Sequence, residues 1–338
     1  MLSLRKGSRK ETCPSCGRKT FTPYVDDFGV ALDASVGRCD RQDKCRYHYP
    51  PAEFYRDRRP LGAGRYKTSR PNGAHIRKAP VSKPTFIDSQ DFKSSFTAYD
   101  RNPLALFLKK VFGKYLGEER INDTLARMGL GTSRKFGGSA IFWQVDIQGR
   151  IRDGKVMGYD SATGKRVKHP VPQVTNVHTL LKDRYSGNFR PCFFGSHLAA
   201  NDRSGKPILL FESEKAAVVM ALVFEMEGAW LGWPMATGGC GVLNPKEENL
   251  RDCWHGIQVL RNRDVILFPD NGKYDEWLEK ASQLEKFSRS VQVATIMETA
   301  LRRIEPQCLM DEGDGFDDLL LRYLEGGLPY GDLMNHCV

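Results

Sequence analysis

No apolar run in the 338 residues is long enough to cross a membrane: the longest, Ala216–Phe224, has nine residues and ends at Glu225, against the roughly 18 a span requires. The basic opening MLSLRKGSRKE lacks the apolar stretch and small-residue cleavage site of a secretory signal, so the cytoplasm is the expected compartment and no membrane is an expected partner. No G-x4-G-K-S/T stretch occurs, which leaves any strand unwinding to a separate protein. Most of the length also lacks a charge surplus. Residues 91–338 hold 32 Lys+Arg and 32 Asp+Glu, whereas residues 1–90 hold 19 against 9, so the whole formal charge of +10 lies in the first 90 residues. A basic module on a neutral body implies a polyanion as the module's partner. With 40% hydrophobic residues the chain has material for two or three cores, and disorder over its whole length is excluded.

Nine cysteines, an odd number without an export signal, argue against a disulfide framework. Five are scattered (Cys192, Cys240, Cys253, Cys308, Cys337), and four cluster as Cys13-Pro-Ser-Cys16 and Cys39…Cys45. Structural zinc takes four soft or borderline donors in a tetrahedron, and a C-x2-C knuckle delivers two thiolates to one ion. The expected ligands are Cys13, Cys16, Cys39 and Cys45, with His48 as the alternate fourth, because Cys45-Arg-Tyr-His48 has the usual two-residue gap. Between the halves Phe21, Tyr24, Val25, Phe28, Val30 and Val36 read as short strands, the pattern of a zinc ribbon over residues 1–60. Bases alternate with rings there: Arg38, Arg41, Lys44, Arg46, Tyr47, His48, then Arg56, Arg58 and Arg59. This combination suits single-stranded nucleic acid, cations neutralising phosphates and rings stacking on bases; the same rings also serve as a small core. Residues 61–90, rich in Gly, Pro, Arg and Lys, read as a basic linker.

Residues 91–205 read as a small α+β subdomain. Leu104, Phe107, Leu108, Val111, Phe112 and Leu116 recur at helical spacing after Pro103, and a second helix is expected over about Glu118–Met128. Short strands follow at Ala140–Val145, Gly149–Ile151 and Gly154–Tyr159. Lys155, Arg166 and Lys168 near the turns either contact a phosphate backbone or are ordinary surface cations.

Residues 206–338 alternate buried strands and helices: strand Pro207–Phe211, helix Ala216–Glu227, strand Asp264–Phe268, helix Tyr274–Phe287, strand Val291–Ile296, helix Leu319–Leu324. Such alternation specifies a parallel sheet with helices on both faces. Glu212, Asp270 and the Asp314/Asp317/Asp318 group each follow a strand or precede a helix, and so can converge at the carboxyl edge. Three carboxylates there repel one another unless a cation lies between them, and hard oxygen donors fit Mg2+ or Mn2+. Asp318, ahead of Leu319, has a second reading as a helix N-cap.

At these residues the chain resembles the TOPRIM domain of DnaG-type primases: Glu212 in FESEKAA, Thr237-Gly238-Gly239, Asp270 in LFPDNG, and Asp317-Asp318-Leu-Leu, spanning about Lys206 to Leu324. The strands around GYDSATGKRVK and FFGSH are similar to the segment before TOPRIM in primases, and the ribbon resembles a primase zinc-binding domain; small primase-like proteins of bacterial mobile elements are similar in the order of all three parts. The resemblance implies an α/β TOPRIM-type fold behind a primase-like subdomain, and a DNA-dependent primase joining nucleoside triphosphates on a single-stranded template, with a separate helicase as a partner. It assigns catalysis to Glu212, Lys215, Asp270, Asp317 and Asp318, and Mg2+ or Mn2+ to Glu212, Asp270, Asp318 and Asp275; the family's second aspartate is Gly272 here, so that ligand is either missing or supplied by Asp275. Lys215 matches the lysine of an EGEK-like variant, and Ala216 replaces an acid common in primases. A TOPRIM nuclease and a non-catalytic nucleic-acid-binding replication factor fit the same acids.

Overall fold

Cys13 opens a tight knuckle that Gly17 closes: the Gly17 N–H donates to the Cys13 carbonyl at 2.9 Å, and Gly17 takes a left-handed φ of +68°. Around it β1 (Ser3–Leu4), β2 (Glu11–Thr12), β3 (Lys19–Val25), β4 (Gly37–Cys39) and β5 (His48–Tyr49) form one antiparallel sheet in the order β1-β3-β4-β5, with β2 on β3. Phe21 of β3 is buried against Gly37, where a Cβ would lie 2.4 Å from its ring. This unit extends over Met1–Lys78, and a second over Ala79–Val338. The structure, a computed structural model, describes residues 3–5, 7, 10–25, 30–41, 44–51, 53–54, 84–237, 256–298 and 313–326. The expected linker lies mostly outside these residues.

The second unit begins with helices that local chemistry fixes. Asp88 caps α1 (Ser89–Ser94), and Asn102 caps α2 (Pro103–Phe112), its Oδ1 accepting from the Leu104 and Ala105 N–H groups while Pro103 takes the first helical position. Helix α3 (Glu118–Met128) stops at Gly129 in the left-handed conformation. An antiparallel sheet follows, β6 (Leu130–Thr132), β7 (Ala140–Val145), β8 (Ile151–Met157) and β9 (Val174–Asn176), in sequence order, leading into the single turn α4 (Val177–Leu180). The two strands expected after Gly149 and Gly154 are one, because Gly154 marks a close approach rather than a break. A Cβ there would lie 2.7 Å from Val177, 2.9 Å from Ile141 and 2.9 Å from Trp143.

The remainder is the expected parallel sheet: β10 (Ile208–Phe211), α5 (Glu214–Glu227), β11 (Trp233–Ala236), β12 (Asp264–Phe268), α6 (Tyr274–Leu284), β13 (Ser290–Val293) and α7 (Phe316–Gly326), with strand order β11-β10-β12-β13. Alternate residues of β10 and β12 face opposite ways. Leu209, Phe211 and Phe268 pack into the core that also buries α2, α3, α5 and α7, while Ile208, Leu210, Val265 and Leu267 pack with Trp277, Ala281 and Leu284 of α6. The longest apolar run is therefore α5, buried on every side from Glu214 to Phe224. Among the described residues, no helix is long and apolar enough to cross a membrane.

Candidate functional site

β10 and β12 are adjacent with Phe211 level with Phe268, so the chain beyond them brings Glu212 and Asp270 to one edge. From that edge the chain leaves β10 for β11 on one side and β12 for β13 on the other, a topological switch point that opens a crevice. The late acidic stretch is clipped to this crevice by backbone pairing: the Asn271 N–H donates to the Asp314 carbonyl at 2.8 Å, and the Gly313 N–H to the Asn271 carbonyl at 3.1 Å. Beneath, Phe211 stacks on Phe268 with ring centroids 4.7 Å apart, and Phe316 packs tilted against Phe268 at 5.4 Å. Each acid thus stands one or two residues from a buried ring, above an apolar floor of low dielectric that strengthens charge interactions.

The result is a groove of about 780 Å3. It gathers Glu212, Glu214, Lys215, Asp270, Asp314, Asp317 and Asp318, together with Lys155, Tyr159, Lys165, Arg166, Lys168 and His169 from the antiparallel sheet and its hairpin. The hairpin is built by Asp160, whose Oδ1 accepts from the N–H groups of Ala162 and Thr163, and by Gly164 in the left-handed conformation against Phe107. Lys155, Arg166 and Lys168, singled out in the sequence as separate cations, line the same groove as the acids. Sequence reasoning missed Lys165 and Glu214, for which only their position beside Arg166 and Lys215 was a signal. Asp275 is not brought in: it lies in the first turn of α6, exposed and outside the groove lining, because the helix starts at Tyr274 and turns it away from Asp270.

The cations and acids are unequally matched. Lys215 Nζ lies 2.9 Å from Asp317 Oδ2 and 2.8 Å from Asp318 Oδ1. Burial disfavours its ammonium, but the two carboxylates outweigh burial and hold its pKa above the ordinary lysine range. Burial likewise pushes the Asp317 carboxyl up, against the pull of Lys215. Arg322 pairs with Asp314 at 2.8 Å, and Lys155 with Glu214 at 3.2 Å. Among the described residues no cation pairs with Glu212 or Asp270. Asp270 is pushed up to about 8, first by burial and then by the negative charge of Glu212, Asp317, Asp318 and Asp314. Asp318 is the third residue of α7 and not its N-cap: its Oδ2 accepts from the N–H of Gly315, the residue before the helix, at 3.1 Å.

This donor set fits a hard divalent cation at Glu212 and Asp270: two carboxylates without a protein counter-ion, one of them destabilised as an anion by its neighbours. Asp318, expected as a third ligand, is engaged by Lys215 in this structure. Among the described residues, the ribbon's four cysteines are the one group of three or more His, Cys, Asp or Glu side chains whose ligand atoms converge on a single point.

There, Cys13, Cys16, Cys39 and Cys45 have all four sulfurs within 4.8 Å of one another, and none forms a disulfide. The irregular Cys39–Cys45 spacing closes through a turn in which the Cys45 N–H donates to the Arg41 carbonyl at 2.8 Å, with Arg46 in the left-handed conformation. The Cys16 thiol is lowered to about 6, mainly by the Arg18 N–H, which favours the thiolate a metal needs. Four converging thiols fit a structural zinc ion. His48 is not drawn in; its Nε2 meets the Tyr24 hydroxyl at 3.1 Å and its ring stacks on Tyr24. Tyr47 is committed to the ribbon core, packed on Phe21 with its hydroxyl donating to the Ser35 carbonyl at 2.9 Å. Lys44 and Arg46 are exposed, Arg38 and Arg41 half-buried, and Arg56 lies outside the described residues.

An antiparallel ribbon with a four-cysteine centre, and an α/β unit with an acidic switch-point groove, define the class. The chain belongs to the family described as a domain of unknown function, DUF6371, which matches residues 102–271; residues 1–60 match the family of zinc beta-ribbon fingers. No curated protein sequence matches the chain. Among solved structures it is similar to the primase fragment of the bacteriophage T7 primase-helicase protein, at 16% identity over 89% of this chain and 99% of that one, with a TM-score of 0.33. It is similar also to the DnaG primase catalytic domain bound to ssDNA (14% identity, 74% and 77% of the chains, TM-score 0.37) and to the E. coli primase catalytic core (12%, 73% and 93%, TM-score 0.30).

Proposed function

We propose that the chain is a primase-like nucleotidyltransferase of TOPRIM type that makes short oligonucleotides on single-stranded DNA, in the replication or transfer of a mobile element or phage. The observation that carries this reading is the convergence of Glu212, Asp270, Asp314, Asp317 and Asp318 with Lys155, Lys165, Arg166 and Lys168 in one groove. A groove lined by both cations and carboxylates suits a triphosphate, whose own charge needs both basic residues and a metal. Glu212 and Asp270 hold Mg2+ or Mn2+, which when bound supplies Lewis acidity to phosphate oxygens. Lys155, Lys165, Arg166 and Lys168 bind and orient the phosphates of the triphosphate and of the template strand beside it, leaving the α-phosphate open to the attacking hydroxyl; pyrophosphate leaves and no protein nucleophile is needed. Arg38, Arg41, Lys44, Arg46 and Arg56 of the ribbon hold template phosphates, and zinc keeps the ribbon folded. A separate helicase supplies unwinding.

The test is the purified chain with single-stranded DNA, labelled nucleoside triphosphates and Mg2+ or Mn2+, resolved on a gel. New oligonucleotides are the expected product. Shortened DNA would instead establish a nuclease. DNA binding with neither would leave a replication factor without catalysis, a reading that Gly272 and the occupied Asp318 favour.

A further inference from the structure

The position of Lys215 runs against its local surroundings. It is the second residue of α5, where the helix dipole disfavours a cation, and it is buried, with its side chain 11% exposed. Its location is accounted for by Asp317 and Asp318, both in the first turn of α7, which it bridges at 2.9 and 2.8 Å. A buried ammonium with two carboxylates is well matched, whereas removing it would leave two acids beside three others.

Resting on the reading of the groove as a divalent-metal site, we infer that Lys215 is a built-in counter-ion that takes the place of a second metal ion, so that this acidic edge holds one divalent cation, on Glu212 and Asp270, and not two. Three features of the groove carry the inference. Asp314 is engaged by Arg322, Asp317 and Asp318 are engaged by Lys215, and among the described residues only Glu212 and Asp270 of these acids have no cationic partner. One divalent ion offsets the charge those two leave. A second would have to displace Lys215 from its buried pairing with Asp317 and Asp318. Lys215 is thus a positioning residue: it fixes the first turn of α7 against α5 and sets the number of ions.

The experiment titrates the full-length, zinc-saturated protein with Mn2+ and follows free Mn2+ by electron paramagnetic resonance. The wild type is expected to bind one Mn2+, lost in Asp270→Asn. Lys215→Gln is expected to raise the number to two, and Lys215→Arg to keep it at one. Asp318→Asn, which spares Glu212 and Asp270, is expected to leave the single ion in place, and this arm stands even where Lys215→Gln does not fold. Two ions in the wild type, loss of the ion in Asp318→Asn, or a folded Lys215→Gln that gains none would each overturn the inference. No Mn2+ sensitive to Asp270→Asn would instead overturn the metal-site reading itself.

Discussion

The Asn271 N–H donates to the Asp314 carbonyl at 2.8 Å, tying the loop after β12 to the loop before α7. That contact brings acids 40 or more residues apart in sequence to the end of two neighbouring strands, and Gly315 completes it. A Cβ on Gly315 would lie 2.6 Å from Asp317 Oδ1 and 3.0 Å from Asp270 Oδ1. Gly315→Ala is therefore expected to cost about 1–3 kcal/mol of stability, the usual penalty for overpacking, and to weaken Mn2+ binding in the same variant. Urea denaturation and Mn2+ titration measure the two; wild-type values in both would show that the clip does not position the acids.

The zinc centre gives a sharper contrast. Cys13→Ser and Cys45→Ser are each expected to lose the one zinc ion per chain, while His48→Ala retains it, because His48 is bonded to Tyr24 and not to the thiol cluster. Zinc content by atomic absorption decides it. Retention in Cys45→Ser with loss in His48→Ala would exchange the fourth ligand.

Much of this was legible in residues alone. Apolar runs located β10 and β12, helical spacing located α2 and α3, and the acids at strand ends foretold the groove. The misreadings have physical causes. Gly154 reads as a break because glycine has no side chain to reveal the Val177, Ile141 and Trp143 neighbours that require it. Asp275 reads as a substitute for the second aspartate that is Gly272 here, but it falls in the first turn of α6, exposed and outside the groove lining. The pairing of Lys215 with Asp317 and Asp318 joins α5 to α7 across a hundred residues, and no local pattern encodes it.

The folded chain holds a proton on Asp270 up to about pH 8, which the unfolded chain releases near its ordinary value of 3.8. Between these values the folded state binds more protons, so the contribution of Asp270 to stability falls as pH rises from about 4 to about 8 and is level above. Without added divalent cation, the melting temperature is expected to decline over that window more in the wild type than in Asp270→Asn. Added Mn2+ should bind more tightly as pH rises, since it takes the carboxylate. Parallel pH profiles in the two proteins would contradict the assignment.

The cations that line the groove with the acids should reveal themselves through salt. Arg166→Ala and Lys168→Ala are expected to weaken single-stranded DNA binding and to lower the log–log salt slope by about 0.7 for each phosphate contact removed. Fluorescence anisotropy at several salt concentrations gives the slope. Weaker binding with the slope unchanged would mean that neither residue contacts phosphate.

The most direct measurement compares oligonucleotide synthesis on single-stranded DNA by Asp270→Asn and Asp275→Asn, with nucleoside triphosphates and Mn2+ in excess. Asp270 lies in the groove and Asp275 outside it, so synthesis is expected to be lost in the first and retained in the second. Synthesis that survives Asp270→Asn, or is absent from the wild type, would contradict the account.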